Sequence, residues 1–167
     1  REKREINSME FVRYLPNVHI VNDWMLMDDV ALIPWLEPDE YKKIPDLKQK
    51  YIFGHFELPY FKMNAMVDMP DVGQIKAEHF VNQEYVFTGH FHKRQIRNNI
   101  HYMGNAFPHN YADAGDDERG MMILEWGGKP EYIDWPDMPV YRHYKISQLL
   151  ENADSLLQER MYVRVGL

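Results

Sequence analysis

Tyr51-Ile52-Phe53-Gly54-His55 and Tyr85-Val86-Phe87-Thr88-Gly89-His90-Phe91-His92 are two apolar runs that each stop at Gly-His, and their reading decides the fold. Both runs are short, aromatic and β-branched, as buried strands are. The glycine that closes each lets the backbone turn sharply while presenting the next side chain. In an open α/β sheet ligands collect at the carboxyl ends of the strands, so neighbouring strands ending this way would pool their histidines in one crevice. His55, His90 and His92 are therefore the candidate metal ligands. On an ideal strand His90 and His92 fall on one side, able to reach one ion or one each of two, and two-metal hydrolytic sites hold their ions roughly 3.5–4 Å apart. Neutral imidazole is a common ligand for such divalent metals. Any one of these histidines alone is more simply a polar residue at a loop start. The repeated strand-Gly-His, one copy of which carries a second histidine, favours the metal.

At 167 residues, 45% hydrophobic and 14% aromatic, the chain is about one domain long and able to build a core. No apolar stretch approaches the roughly 20 residues that cross a bilayer, and Arg1-Glu2-Lys3-Arg4-Glu5 lacks the apolar segment of a secretory signal. A cytoplasmic protein without a membrane partner is the expectation. Cysteine is absent, so any metal must sit on histidine, carboxylate, amide or water, which favours a catalytic over a structural ion. The net charge of −7 argues against a broad basic face for nucleic acid. Bound cations and the patch Lys93-Arg94 with Arg97 could still draw in a phosphodiester; a solvated hairpin surface is the other reading of those residues. A nucleotide P-loop and a Gly-x-Ser-x-Gly elbow are both missing from the sequence.

Around the two strands the pattern predicts further elements. Met9 to Leu15 reads as the end of a helix, Val18 to Val21 as a short strand, and Trp24 to Met27 with Val30 to Trp35 as a hairpin turning at Asp28-Asp29. Glu37 to Gln49 has acids early and lysines late, as a helix dipole prefers, although Pro45 interrupts it. Phe61 to Val72 reads as a loop over the site and Gln74 to Asn82 as a short helix, with His79 a surface or packing residue. Asn98-Asn99 signals a hairpin between Gln95 to Arg97 and Ile100 to Met103. Pro108 to Arg119 reads as a loop from which His109 could approach the site, and Gly120 to Trp126 with Glu131 to Trp135 as a hairpin closing the core sheet. Pro136 and Pro139 mark a linker, followed by a helix over Ile146 to Leu157 and a strand over Met161 to Val165.

Gly89-His90-Phe91-His92, preceded by Gly54-His55, resembles the last two motifs of the calcineurin-like metallophosphoesterases. With Phe56-Glu57-Leu58, Tyr102-Met103-Gly104-Asn105, Asp117-Glu118-Arg119-Gly120, Leu32-Ile33-Pro34-Trp35 and Tyr162-Val163-Arg164-Val165, the likeness is to the SbcD-type DNA repair nucleases. It is strongest to their phage form, the recombination endonuclease small subunits of T-even-like phages. The resemblance implies an α/β fold, the C-terminal half of a metallophosphoesterase four-layer α/β/β/α sandwich over residues 1–138. A linker and the beginning of an α+β capping domain would follow over 139–167. It implies two divalent metal ions, manganese the expected pair, with His55 and His90 on the second and His92 on the first. It also implies metal-assisted hydrolysis of DNA phosphodiesters, exonucleolytic or endonucleolytic, in recombination and repair, in the cytoplasm of a bacterium or a phage-infected host. The partners it implies are DNA and an SMC-like ATPase subunit of the SbcC type, with the complete protein a homodimer.

The family's Asp-x-His, Gly-Asp and Gly-Asn-His-Asp motifs have no match here, and Asn17-Val18-His19 and Val21-Asn22-Asp23 hold suitable residue types without the motif. Because the acid histidine belongs to the third of these, no catalytic residue is assigned, and the expectation is a piece of a longer chain that is a poor catalyst alone. Two alternatives stay open: a metallophosphoesterase acting on nucleotides or phosphoproteins, and a non-catalytic structural fragment.

Overall fold

Strand alternation puts one set of apolar side chains on each face of a central sheet. The computed structural model describes residues 8–64, 67–73 and 75–167. The charged start Arg1 to Glu5, Gln74 at the head of the helix expected before the second Gly-His strand, and Ala65 and Met66 of the expected loop lie outside them. The central sheet has six strands: β1 (Met25–Met27), β2 (Val30–Ile33), β3 (Tyr51–His55), β4 (Tyr85–Gly89), β5 (Gln95–Arg97) and β6 (Ile100–Tyr102). Their order is β1-β2-β3-β4-β6-β5. β2, β3, β4 and β6 run parallel, and the edges β1 and β5 are antiparallel to their neighbours. Both edge strands come from the expected hairpins: Met27 pairs with Val30 around Asp28-Asp29, and Arg97 with Ile100 around Asn98-Asn99. Asn98 takes φ 54, a left-handed conformation that asparagine tolerates.

Register sorts the side chains into rows. Ala31, Ile52, Val86 and Ile100 form one row, and Ile33, Gly54, Thr88 and Tyr102 the next on the same face. Leu36, Ile44, Phe56, Leu58, Phe80 and Phe91 join these rows in a buried core. The opposite face carries Tyr51, Phe53, Tyr85 and Phe87, stacked across neighbouring strands with Tyr51–Tyr85 at 6.0 Å and Phe53–Phe87 at 5.2 Å. Trp126 covers Tyr51 at 4.4 Å, and Tyr132 lies parallel to His101 at 6.1 Å.

Several expected elements come out differently. Of the segments expected over Glu37 to Gln49 and Gln74 to Asn82, the described residues form only the 3-10 turns Tyr41–Asp46 and Ala77–Phe80, and the early helix is the 3-10 turn Glu10–Tyr14. Pro45 inside the first of these removes an amide donor, which limits it to one tight turn. Val18 to Val21 is not a strand. β7 (Gly120–Ile123) and β8 (Glu131–Asp134) pair antiparallel as a separate two-stranded sheet and do not extend the central one. The expected linker after Pro139 is strand β9 (Val140–Lys145), followed by α1 (Ile146–Leu156), broken at Asn152, and β10 (Met161–Gly166). β9 and β10 pair in parallel, a βαβ unit with its own small sheet. Gly115 N–H donates to Tyr141 O at 3.1 Å, tying β9 to the loop before β7. The whole is a mixed α/β fold with a core made mostly of sheet and few helices. Among the described residues no helix is long and apolar enough to cross a membrane.

Candidate metal centre

Parallel pairing carries the ends of β2, β3 and β4 to one edge of the sheet, since Ile33 pairs with Gly54 and His55 with Gly89. The residues at and just beyond these ends meet there. His55 Nε2 lies 3.2 Å from His90 Nδ1, the two rings perpendicular at 89° with centroids 5.1 Å apart. Trp35, two residues past β2, places its ring 5.4 Å from His90 and 6.1 Å from His55.

The glycines earn their positions by volume, where the sequence reading gave them to turning. A Cβ on Gly54 would stand 2.3 Å from the ring of buried Phe56, and one on Gly89 would stand 2.9 Å from His55 Nδ1. The turn falls instead on His90, at φ 87. That conformation is costly for a residue with a Cβ and persists only where the surroundings over-determine it, a condition found most often at functional sites.

Buried hydrogen bonds hold the loop after His55. Thr88 Oγ1 accepts from Phe56 N at 2.9 Å. Tyr102 Oη accepts from Leu58 N at 3.0 Å and donates to Phe56 O at 2.8 Å. Burial pushes the Tyr102 phenol well above the usual tyrosine range, so it stays a donor. Between these anchors Glu57 projects toward the histidines, and His90 Nε2 stands 2.8 Å from Glu57 Oε1.

Burial lowers the pKa of His55, and the neighbouring His90 lowers it further against the opposing pull of Glu57. A neutral ring keeps the lone pair that a metal needs. Two imidazole nitrogens 3.2 Å apart match the edge of a coordination shell with metal–nitrogen bonds of about 2.0–2.1 Å, whose donor-to-donor edges run roughly 2.9–3.4 Å. His55 and His90 thus fit as part of such a shell. Glu57 bonds the far nitrogen of His90, so it is no third donor to the same ion. Among the described residues no group of three or more His, Asp or Glu is arranged to hold an ion.

His92 has other neighbours. Its Nδ1 is 3.7 Å from Asp113 Oδ1, and its ring centroid is 5.6 Å from that of His109. Asp113 is buried, accepts His109 N–H at 2.9 Å and pairs with buried Arg119 at 3.1 Å. Arg119 also pairs with Asp116 at 2.9 Å, and Lys93 reaches Asp116 at 3.2 Å. The cationic patch is likewise engaged within the chain: Arg94 pairs with Asp134, and Arg97 donates to Tyr60 O at 3.0 Å while lying over the Phe61 ring. His79 accepts the Lys76 N–H at 3.1 Å, a capping role.

No protein-family model and no curated protein matches the chain. Sequence reasoning left out Glu57, Trp35 and Asp113 as site residues. A carboxylate two positions after a strand-end histidine, and an aromatic two positions after a parallel neighbour's end, were the available signals.

Proposed function

We propose that the chain carries part of the metal centre of a calcineurin-like metallophosphoesterase, of the SbcD-type nuclease kind, whose substrate is DNA. One observation carries this reading: His55 Nε2 and His90 Nδ1 face each other 3.2 Å apart at the ends of adjacent parallel strands. The ordered Gly-His and Gly-His-Phe-His motifs give the class of chemistry, and the parallel sheet is consistent with one inner layer of the family's sandwich. His55 and His90 would hold one ion, and His92, beside Asp113 and His109, would serve the other.

When bound, divalent metals supply Lewis-acid polarisation of the phosphate and a lowered pKa for water. The protein's own residues do the rest. Depressed protonation of His55 keeps its lone pair available near neutral pH, and the Thr88 and Tyr102 clamps fix the loop behind it. Trp35 packs its ring against both imidazoles on one side of the site. The sequence supplies three of the ligands that the resemblance implies, so hydrolysis by this chain alone is expected to be weak.

The test is manganese-dependent hydrolysis measured on linear DNA, on a nucleotide phosphodiester and on a phosphopeptide, with His55→Ala and His90→Ala beside the native chain. Metal-dependent cleavage of DNA that both substitutions abolish supports the nuclease reading. Turnover of the nucleotide or phosphopeptide with DNA untouched moves the protein to another branch of the phosphoesterases.

A further inference from the structure

The carboxylate of Glu57 has no place among the ligands that the motifs imply, yet it is one of the best-anchored acidic groups near the histidines. Its neighbours Phe56 and Leu58 are 1% and 0% exposed, and three buried hydrogen bonds from Thr88 and Tyr102 grip the backbone on both sides of it. The side chain is thereby aimed away from the core, 2.8 Å from His90 Nε2. His90 in turn sits at φ 87, a backbone conformation that restricts where its ring can go.

We propose that Glu57 is a positioning residue: by accepting the Nε2–H of His90 it fixes the ring so that the bare Nδ1 faces the ion shared with His55. The geometry reads along a line. Glu57 accepts from His90 Nε2, and a neutral His90 carrying its proton there has a free lone pair at Nδ1, the atom 3.2 Å from His55 Nε2. Without a metal, a hydrogen bond to that lone pair requires His55 to carry its proton on Nε2; with one, both nitrogens would offer their lone pairs to the ion. A carboxylate behind a ligating imidazole sets both tautomer and orientation, and losing such a partner typically costs about 10–100-fold in metal affinity. The proposal rests on the reading of His55 and His90 as metal ligands.

The experiment is a nickel titration by calorimetry on the full chain, nickel being a strong binder of imidazole. Native protein, His55→Ala, Glu57→Ala and Glu57→Gln are compared, with thermal unfolding and imidazole nitrogen-15 spectra recorded on each. Glu57→Ala is expected to weaken nickel binding by roughly 10–100-fold and to let the His90 proton exchange between ring nitrogens. Glu57→Gln, whose side-chain carbonyl still accepts the Nε2–H, is expected to stay within a few-fold of native affinity and to retain the native His90 tautomer. Native affinity and an unchanged tautomer in Glu57→Ala would overturn the role of Glu57 while leaving the histidine pair standing. Nickel uptake that is the same in native protein and His55→Ala would overturn the metal reading and this proposal with it.

Discussion

At the scale of single residues the site is built from side chains forced into unusual settings. His90 accepts a left-handed backbone at φ 87, so its identity is maintained against a local cost. His90→Gly should therefore unfold at a higher temperature than His90→Ala, by the equivalent of roughly 1 kcal/mol, while both lose metal affinity. Calorimetric melting and metal titration of the two variants measure this directly. A second setting is His101, buried on the aromatic face of the sheet, whose Nδ1 lies 2.6 Å from Tyr132 Oη. Burial lowers the pKa of His101 and pushes Tyr132 up to about 12, so the phenol O–H donates to a neutral ring. The sign of the linkage follows. A histidine with a depressed folded pKa binds fewer protons folded than unfolded, so its contribution is intact above about pH 6.5 and is lost as pH falls through the folded value. Stability measured by denaturant unfolding from pH 7.5 to 5 should fall on acidification, and His101→Asn should flatten that slope. Tyr132→Phe strands the buried ring nitrogen and should cost about 1–3 kcal/mol at pH 7.5.

At the scale of elements, the ends of β3 and β4 act as one unit because Thr88 and Tyr102 bond across them. Thr88→Val removes the acceptor of the buried Phe56 amide without changing shape much, and should destabilise by about 1–3 kcal/mol. Gly89→Ala differs in kind: its methyl would stand 2.9 Å from the His55 ring, which can shift at little cost to folding. Metal affinity should drop in that variant with the melting temperature nearly unchanged, as calorimetry would show. Much of this scale was legible from sequence. The two Gly-His strands announce themselves as short apolar runs, and Asp28-Asp29 and Asn98-Asn99 mark the two edge hairpins, β1 with β2 and β5 with β6, because turn chemistry is local. What escaped was set by contacts distant in sequence or by competition within a segment. Val18 to Val21 has strand composition but no strand pairing, Pro45 shortened the expected helix, and β9 was hidden by a proline before it and by interleaved Arg142, His143 and Lys145. The contact of Glu57 with His90 follows from parallel register and from loop clamps, neither of which sequence periodicity encodes.

At the scale of the whole molecule, four parallel strands deliver their ends to one edge, and the chemistry-bearing residues lie at or just past the ends of three of them: Trp35, His55 with Glu57, and His90 with His92. The buried Arg119, Asp113 and Asp116 cluster organises the loop beside His92, so the two candidate ligand settings rest on different supports: a hydrogen-bonded core for one, an ionic core for the other. Breaking a buried pair leaves an uncompensated charge, and Arg119→Met should cost about 3–5 kcal/mol in unfolding free energy, with the loss spreading to His92 before it reaches His55. The measurement that tests the central claim most directly is manganese titration of nitrogen-15-labelled protein, watched through the histidine ring resonances. Paramagnetic broadening should remove the His55 and His90 signals first, at substoichiometric metal, while His19, His79 and His143 persist. Equal broadening of all the histidines, or loss of other signals before these two, would contradict a metal held between the ends of β3 and β4.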